Sequence, residues 1–117
     1  MDQAIVACST PPGRGAISVV RISGKEAKSI INNLFSLEFD HGTSKVAETN
    51  LSGGFNEKCL VSCFEGPSSY TGEDVAEISC HGNPLIVRAL IQKCIELGAR
   101  NANPGEFTQR ALSLIHI

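Results

Sequence analysis

No run of apolar residues in this sequence approaches the roughly 20 needed to cross a bilayer. The start, Met1-Asp2-Gln3, lacks the basic and then apolar stretches of a signal peptide, and nothing there has the Arg-rich amphipathic look of a transit peptide. A cytoplasmic location is therefore expected. Charge is balanced: 10 Lys and Arg stand against 12 Asp and Glu, a formal net charge of -2. That removes any general attraction to nucleic acid or an anionic membrane. Internal repeats, low-complexity segments and linkers are missing, so the 117 residues read as one domain, with a single core of modest stability. Cysteines number five, an odd count that, without a secretion signal, argues against a disulfide framework and for reduced thiols. Cys59 and Cys63 have three residues between them and His81 follows Cys80, but a zinc site needs about four convergent ligands, usually in close pairs. Cys8, Cys59, Cys63, Cys80 and Cys94 are expected to fill core positions as small hydrophobes, with no metal ligands among them.

What is present is a chain of short apolar segments separated by glycine and proline. Ile5–Cys8 reads as a strand that stops at Pro11-Pro12, and residues 11–15 (Pro-Pro-Gly-Arg-Gly) read as a loop. Residues 16–22 are β-branched and apolar, a buried strand. Ser23 and Glu26 have the spacing of a capping box, and Ala27, Ile30, Ile31 and Leu34 then recur on one helical face. Residues 40–49 are polar and carry no clear period. Gly53-Gly54 marks a turn. In residues 58–64 the side chains of Cys59, Val61 and Cys63 fall on one side, and in residues 74–80 those of Ala76, Ile78 and Cys80 do so. A second helix starts at Asn83-Pro84, an N-cap followed by a proline suited to the first turn. It carries an expected buried stripe of Ile86, Ala89, Leu90, Cys94 and Leu97 and stops at Gly98. Residues 99–102 close the pattern as a short strand. The class is α+β: a mixed, mainly antiparallel sheet of five or six strands with two helices on one face.

The residues with chemical potential cluster around residues 70–81. Glu77 sits mid-strand, where glutamate is depleted. A carboxylate there accepts two parallel hydrogen bonds from a planar N–H/NH2 pair, such as an arginine or a pterin-type ring edge. Otherwise it faces solvent or pairs internally with Arg21. Arg21 is itself the odd charge in an apolar strand, so it either emerges at an edge or meets an anion. Gly72-Glu73-Asp74 concentrates negative charge before the strand, and Gly82-Asn83-Pro84 forms a strand-to-helix turn of the kind that attracts anions. Pro12-Gly13-Arg14-Gly15 is a candidate phosphate cradle, yet it fits neither the P-loop spacing nor the dinucleotide fingerprint. His81 is a candidate acid–base group. No partner serine or cysteine arrangement points to a catalytic triad, so a packed or hydrogen-bonded structural histidine is the expected reading.

Together these segments carry a resemblance. The runs Ala7-Cys8-Ser9-Thr10-Pro11-Pro12-Gly13-Arg14-Gly15-Ala16, Val20-Arg21-Ile22-Ser23-Gly24, Ser69-Tyr70-Thr71-Gly72-Glu73-Asp74-Val75-Ala76-Glu77, Cys80-His81-Gly82 and Pro104-Gly105-Glu106-Phe107-Thr108-Gln109-Arg110-Ala111 stand in the order and spacing of the N-terminal domain of the MnmE (TrmE) family of tRNA-modifying GTPases. The chain resembles that domain over residues 1–111. The resemblance implies a fold similar to the folate-binding domain of aminomethyltransferases. It also implies binding of 5-formyltetrahydrofolate as one-carbon donor, and homodimerisation. For the whole protein it implies GTP, magnesium and potassium sites, an FAD-containing MnmG (GidA) partner, and action on the wobble uridine (U34) of tRNA. By motif it carries two folate contacts over, to Arg21 and Glu77.

The chain departs from the family pattern after Ala111. Where the family continues Phe-Leu-Asn-Gly-Lys into a long helix, with a lysine that contacts folate, residues 112–117 read Leu-Ser-Leu-Ile-His-Ile. This segment is expected to be a non-matching tail, and the fragment to lack the P-loop, the potassium site and the catalytic cysteine. It is accordingly expected to be inactive alone. Two other readings stand beside folate binding. One is a ligand-free dimerising sheet in which Arg21 and Glu77 form a structural ion pair. The other is a stand-alone one-carbon transferase, for which the sequence supplies neither an activated acceptor nor a positioned base.

Overall fold

The computed structural model describes residues 3–10, 15–51 and 54–115. Residues 11–14, most of the loop considered for phosphate, and Gly53 lie outside them. Among the described residues six strands form one sheet: β1 (Ile5–Cys8), β2 (Ile17–Ser23), β3 (Ser44–Leu51), β4 (Phe55–Phe64), β5 (Val75–His81) and β6 (Arg100–Asn101). Their order is β3-β4-β5-β2-β1-β6. Every neighbouring pair is antiparallel except β1 with β6. The helices are α1 (Ala27–Phe35), α2 (Pro84–Glu96) and α3 (Glu106–Ile115). The α+β class and the mixed, mainly antiparallel sheet are as expected; α3 is a third helix where two were anticipated. No described helix is long and apolar enough to cross a membrane.

Period-two alternation sorts the strands onto two faces. One face carries Val20 and Ile22 of β2, Ala76 and Ile78 of β5, and Cys59, Val61 and Cys63 of β4; Ile30, Ile31 and Leu34 of α1 and Leu90 and Cys94 of α2 pack with them into the core. Burying each of these larger side chains contributes about 1.5–3 kcal/mol relative to exposure. The opposite face is open over much of β3, β4 and β2, where Val46, Leu60, Phe64 and Ile17 are exposed. Of the five cysteines, Cys59, Cys63, Cys80 and Cys94 are buried free thiols and Cys8 is half-buried, in keeping with core filling.

Four local expectations need correction. The Ser23/Glu26 capping box does not form: α1 starts at Ala27 with no side-chain cap. The hydroxyl of Ser23 is drawn instead to Thr71 Oγ1 (2.7 Å) and donates to Glu73 Oε1 (2.8 Å). The polar stretch 40–49 holds most of strand β3, whose Ala47, Thr49 and Leu51 alternate into the core. Strand β4 begins at Phe55, three residues before the expected start, and so includes Glu57. Leu97 is exposed, because α2 ends at Glu96 and Leu97 has already left helical geometry.

At the other end of α2 the expected cap is in place. Asn83 accepts a hydrogen bond from the Leu85 amide (2.8 Å), and Pro84 opens the first turn. Just before it, Gly82 packs against Gly15 so closely that a Cβ there would stand 2.2 Å from the Gly15 carbonyl oxygen. Two backbone hydrogen bonds fix that contact: Gly15 N–H to Gly82 O and Gly82 N–H to Ala16 O, each 3.2 Å.

Candidate functional site

Strands β2 and β5 pair with Arg21 directly opposite Glu77. Both side chains project from the face away from α1 and α2, since Val20, Ile22, Ala76 and Ile78 occupy the core face. The two odd charges therefore meet: Arg21 Nε and Nη2 each lie 2.9 Å from Glu77 Oε2. Arg21 and Glu77 are 23% and 29% exposed, so the pair is shielded yet reachable. Both contacts use one carboxylate oxygen. No hydrogen bond to Glu77 Oε1 occurs among the described residues.

Two aromatic rings flank the arginine. Its guanidinium carbon lies 5.0 Å from the Tyr70 ring centre and 5.9 Å from that of Phe107. At these separations the ring faces attract the cation. Tyr70 is half-exposed, and its hydroxyl is 2.9 Å from Thr108 Oγ1 on α3. Helix α3 thus brings Phe107 to the site, and Tyr70 comes from the loop between β4 and β5.

A second charged cluster fastens α3 beside this pair. Arg110 is 9% exposed and donates to Glu73 Oε1 (2.9 Å), to the Gln3 carbonyl (3.2 Å) and to Glu106 Oε2 (3.3 Å). Arg100 makes a forked contact with Glu106, at 2.9 Å to Oε1 and 2.5 Å to Oε2. The hydrogen bond from Arg100, then that from the Asn103 amide, hold the Glu106 carboxyl down at about 2. Of the negative charge before β5, Glu73 is engaged by Arg110 and Ser23.

His81, at the end of β5, is held by a residue that the sequence reading did not single out. Glu57 is 2% exposed, and its Oε2 takes the His81 backbone N–H (2.9 Å) and contacts ring Nδ1 (2.7 Å). The signal was available: extending the Cys63, Val61, Cys59 alternation back by two positions places Glu57 on the buried face. The histidine is hydrogen-bonded, as the structural alternative requires, but its side chain is 72% exposed. The buried thiols are poor nucleophiles: loss of solvation pushes Cys59 and Cys94 up to about 12 and Cys80 up to about 11. Among the described residues no group of three His, Cys, Asp or Glu side chains converges as a metal site would require.

Comparison with known proteins covers nearly all of the chain. The family model described as GTP-binding protein TrmE N-terminus matches residues 4–114. The tRNA modification GTPase MnmE of Helicobacter pylori (strain Shi470) is 45% identical over 112 residues, 95% of this chain and 25% of that protein. That of Flavobacterium johnsoniae is 46% identical over 117 residues, covering 94% and 25%. That of Roseiflexus castenholzii is 40% identical over 121 residues, again covering 94% and 25%. The chain spans about a quarter of the length of these relatives.

Proposed function

The chain belongs to the family of TrmE N-terminal domains, and from that premise we infer that it is the folate-binding and dimerisation module of a GTPase that modifies the wobble uridine of tRNA. The observation that carries the reading is the Arg21–Glu77 pair, on an open sheet face with Tyr70 and Phe107 close to the arginine, and one Glu77 oxygen without a hydrogen bond among the described residues. In this reading Glu77 recognises the amino-bearing edge of the pterin of 5-formyltetrahydrofolate. Arg21 offers positive charge and a stacking plane. Guanine nucleotide, magnesium and potassium chemistry, the MnmG (GidA) partner and tRNA belong to the whole protein, which works in the cytoplasm. Homodimerisation is assigned to the same module. It is supported by the apolar side chains of Val46, Leu60, Phe64 and Ile17 left exposed on the open face.

Calorimetric titration with millimolar 5-formyltetrahydrofolate tests the ligand. Saturable binding is expected in the wild type and its loss in Glu77→Ala; a silent wild type refutes it. Light scattering tests the dimer, and a monomeric mass at high micromolar concentration counts against it.

One observation favours a second reading. The two side chains close directly on each other at 2.9 Å, as a purely structural ion pair would. A double-mutant cycle separates the two. Arg21 and Glu77 are partly exposed, so a coupling above about 1 kcal/mol in the folate-free chain, together with silent calorimetry, supports the structural pair.

A further inference from the structure

Glu57 occupies an expensive position. It lies on the core-facing side of β4 in register with Cys59, Val61 and Cys63, and is 2% exposed. A carboxylate there costs several kcal/mol unless its hydrogen-bonding capacity is used. Among the described residues, the hydrogen bonds its carboxylate makes are both to His81, whose ring stands in solvent. A hydroxyl or amide side chain would hold the His81 main-chain N–H at a lower desolvation cost. What a carboxylate adds is control of the imidazole. With Nδ1–H donated to Glu57, the ring is fixed in orientation and tautomer, and Nε2 is left as an outward-facing acceptor.

The surroundings say what that acceptor faces. His81, Ile17, Lys58, Leu60 and Ser79 line a shallow depression of about 270 Å3 on the sheet. Along β5, Glu77, Ser79 and His81 hold alternate positions, opposite Arg21, Val19 and Ile17 of β2. By alternation His81 takes the same side as the Arg21–Glu77 pair and lines the depression there, while its Nδ1 turns at the strand end to the Glu57 carboxylate; it stands four residues further on, about 14 Å at a strand rise of roughly 3.4 Å per residue. That distance suits an extended ligand anchored by one edge at Glu77. With no cluster of ligating side chains among the described residues, the imidazole is suited to accept a hydrogen bond rather than to hold a metal.

We propose that Glu57 and His81 form a carboxylate–imidazole dyad in which His81 Nε2 accepts an N–H hydrogen bond from a ligand lying along β5 and anchored at Glu77. His81 touches the ligand and Glu57 is its positioning residue. The identity of the ligand as a reduced folate, which carries N–H groups beyond its amino-bearing edge, rests on the function inferred above. The orientation of the imidazole does not.

Two measurements on the whole chain test this: ring nitrogen NMR of His81, and calorimetry with 5-formyltetrahydrofolate. Wild type is compared with His81→Gln and Glu57→Met. The second exchanges a buried carboxylate for an apolar side chain of similar volume; it removes a desolvated charge but leaves the His81 main-chain N–H without its acceptor, so its fold is first checked by thermal unfolding. The wild-type ring is expected as the single Nδ1–H tautomer, and Glu57→Met as a mixture. Both variants should bind folate about tenfold more weakly, the worth of one hydrogen bond. If Glu57→Met fails to fold, His81→Gln, altered at an exposed side chain, decides the matter. Wild-type affinity in His81→Gln, with binding lost in Glu77→Ala, overturns the dyad and leaves the folate reading standing. A wild type that shows the single tautomer but binds no folate overturns the folate reading and the ligand assigned to His81. A mixed tautomer in the wild type overturns the positioning role of Glu57.

Discussion

Replacing Arg110 with alanine removes the side chain that fastens α3 to the rest of the domain. Arg110 is 9% exposed and joins three elements: Glu73 of the loop before β5, Glu106 within α3, and the Gln3 carbonyl beside β1. Taking out one partner of a buried charge cluster typically costs about 3–5 kcal/mol, mostly through the charge left behind. Here the loss falls at or below the bottom of that range. Glu106 keeps its forked contact with Arg100, and Glu73 is 19% exposed and keeps Ser23. A loss of about 2–3 kcal/mol is expected. For a domain of this size each kcal/mol shifts the midpoint by roughly 4 °C, so thermal unfolding followed by circular dichroism should show a drop of about 8–12 °C. The Tyr70–Thr108 contact depends on the same helix, so Tyr70 fluorescence should change before the main transition. A midpoint within 2 °C of wild type would refute the idea that this cluster holds α3 in place.

Two further predictions rest on titratable groups. Glu106 is held down to about 2 in the folded chain. It stabilises the fold above the ordinary carboxylate range, and that contribution is lost as pH falls from about 4.5 toward 2. The shift would be worth about 3 kcal/mol unscreened, and about 1–2 after allowing for the partial exposure of Arg100; Glu106→Gln should flatten the acid limb of urea midpoints by that amount, and an unchanged limb would contradict it. The buried thiols of Cys59, Cys63, Cys80 and Cys94 should resist an aromatic disulfide reagent at pH 8, with about one thiol, Cys8, reacting in the native chain and all five in denaturant. Rapid labelling of two or more without denaturant would count against the described packing.

How much of this was legible in the sequence depended on how strongly each segment was patterned. Strands β2 and β5 and helices α1 and α2 stood out because their apolar residues repeat at the period of the element that buries them. Strand β3 did not, because its outward face carries Ser44, Val46, Glu48 and Asn50 and its inward face reads Lys45, Ala47, Thr49 and Leu51, half of it polar. Arg21 and Glu77 were conspicuous as lone charges in apolar strands, but their direct opposition is a fact of strand register, which β-pairing decides. Ser23 illustrates competition: its spacing suits a helix cap, yet a buried position at the end of β2 offered it Thr71 and Glu73. Phe107 reached the site through the docking of α3, which rests on ion pairs between residues distant in sequence and leaves no local period to read. Glu57 was hidden by placing the start of its strand three residues late.

The most direct test of the central claim is a 1H–15N spectrum of the chain, with arginine side-chain resonances included, during titration with 5-formyltetrahydrofolate. Saturating shifts are expected at the Arg21 Nε–H, at the amides of Glu77 and Ser79 and around Tyr70 and Phe107. The cleft of about 480 Å3 lined by Cys8, Val87, Arg88 and Ile91 on the other side of the sheet should remain silent. Shifts confined to that cleft, or none at millimolar folate, would contradict the account.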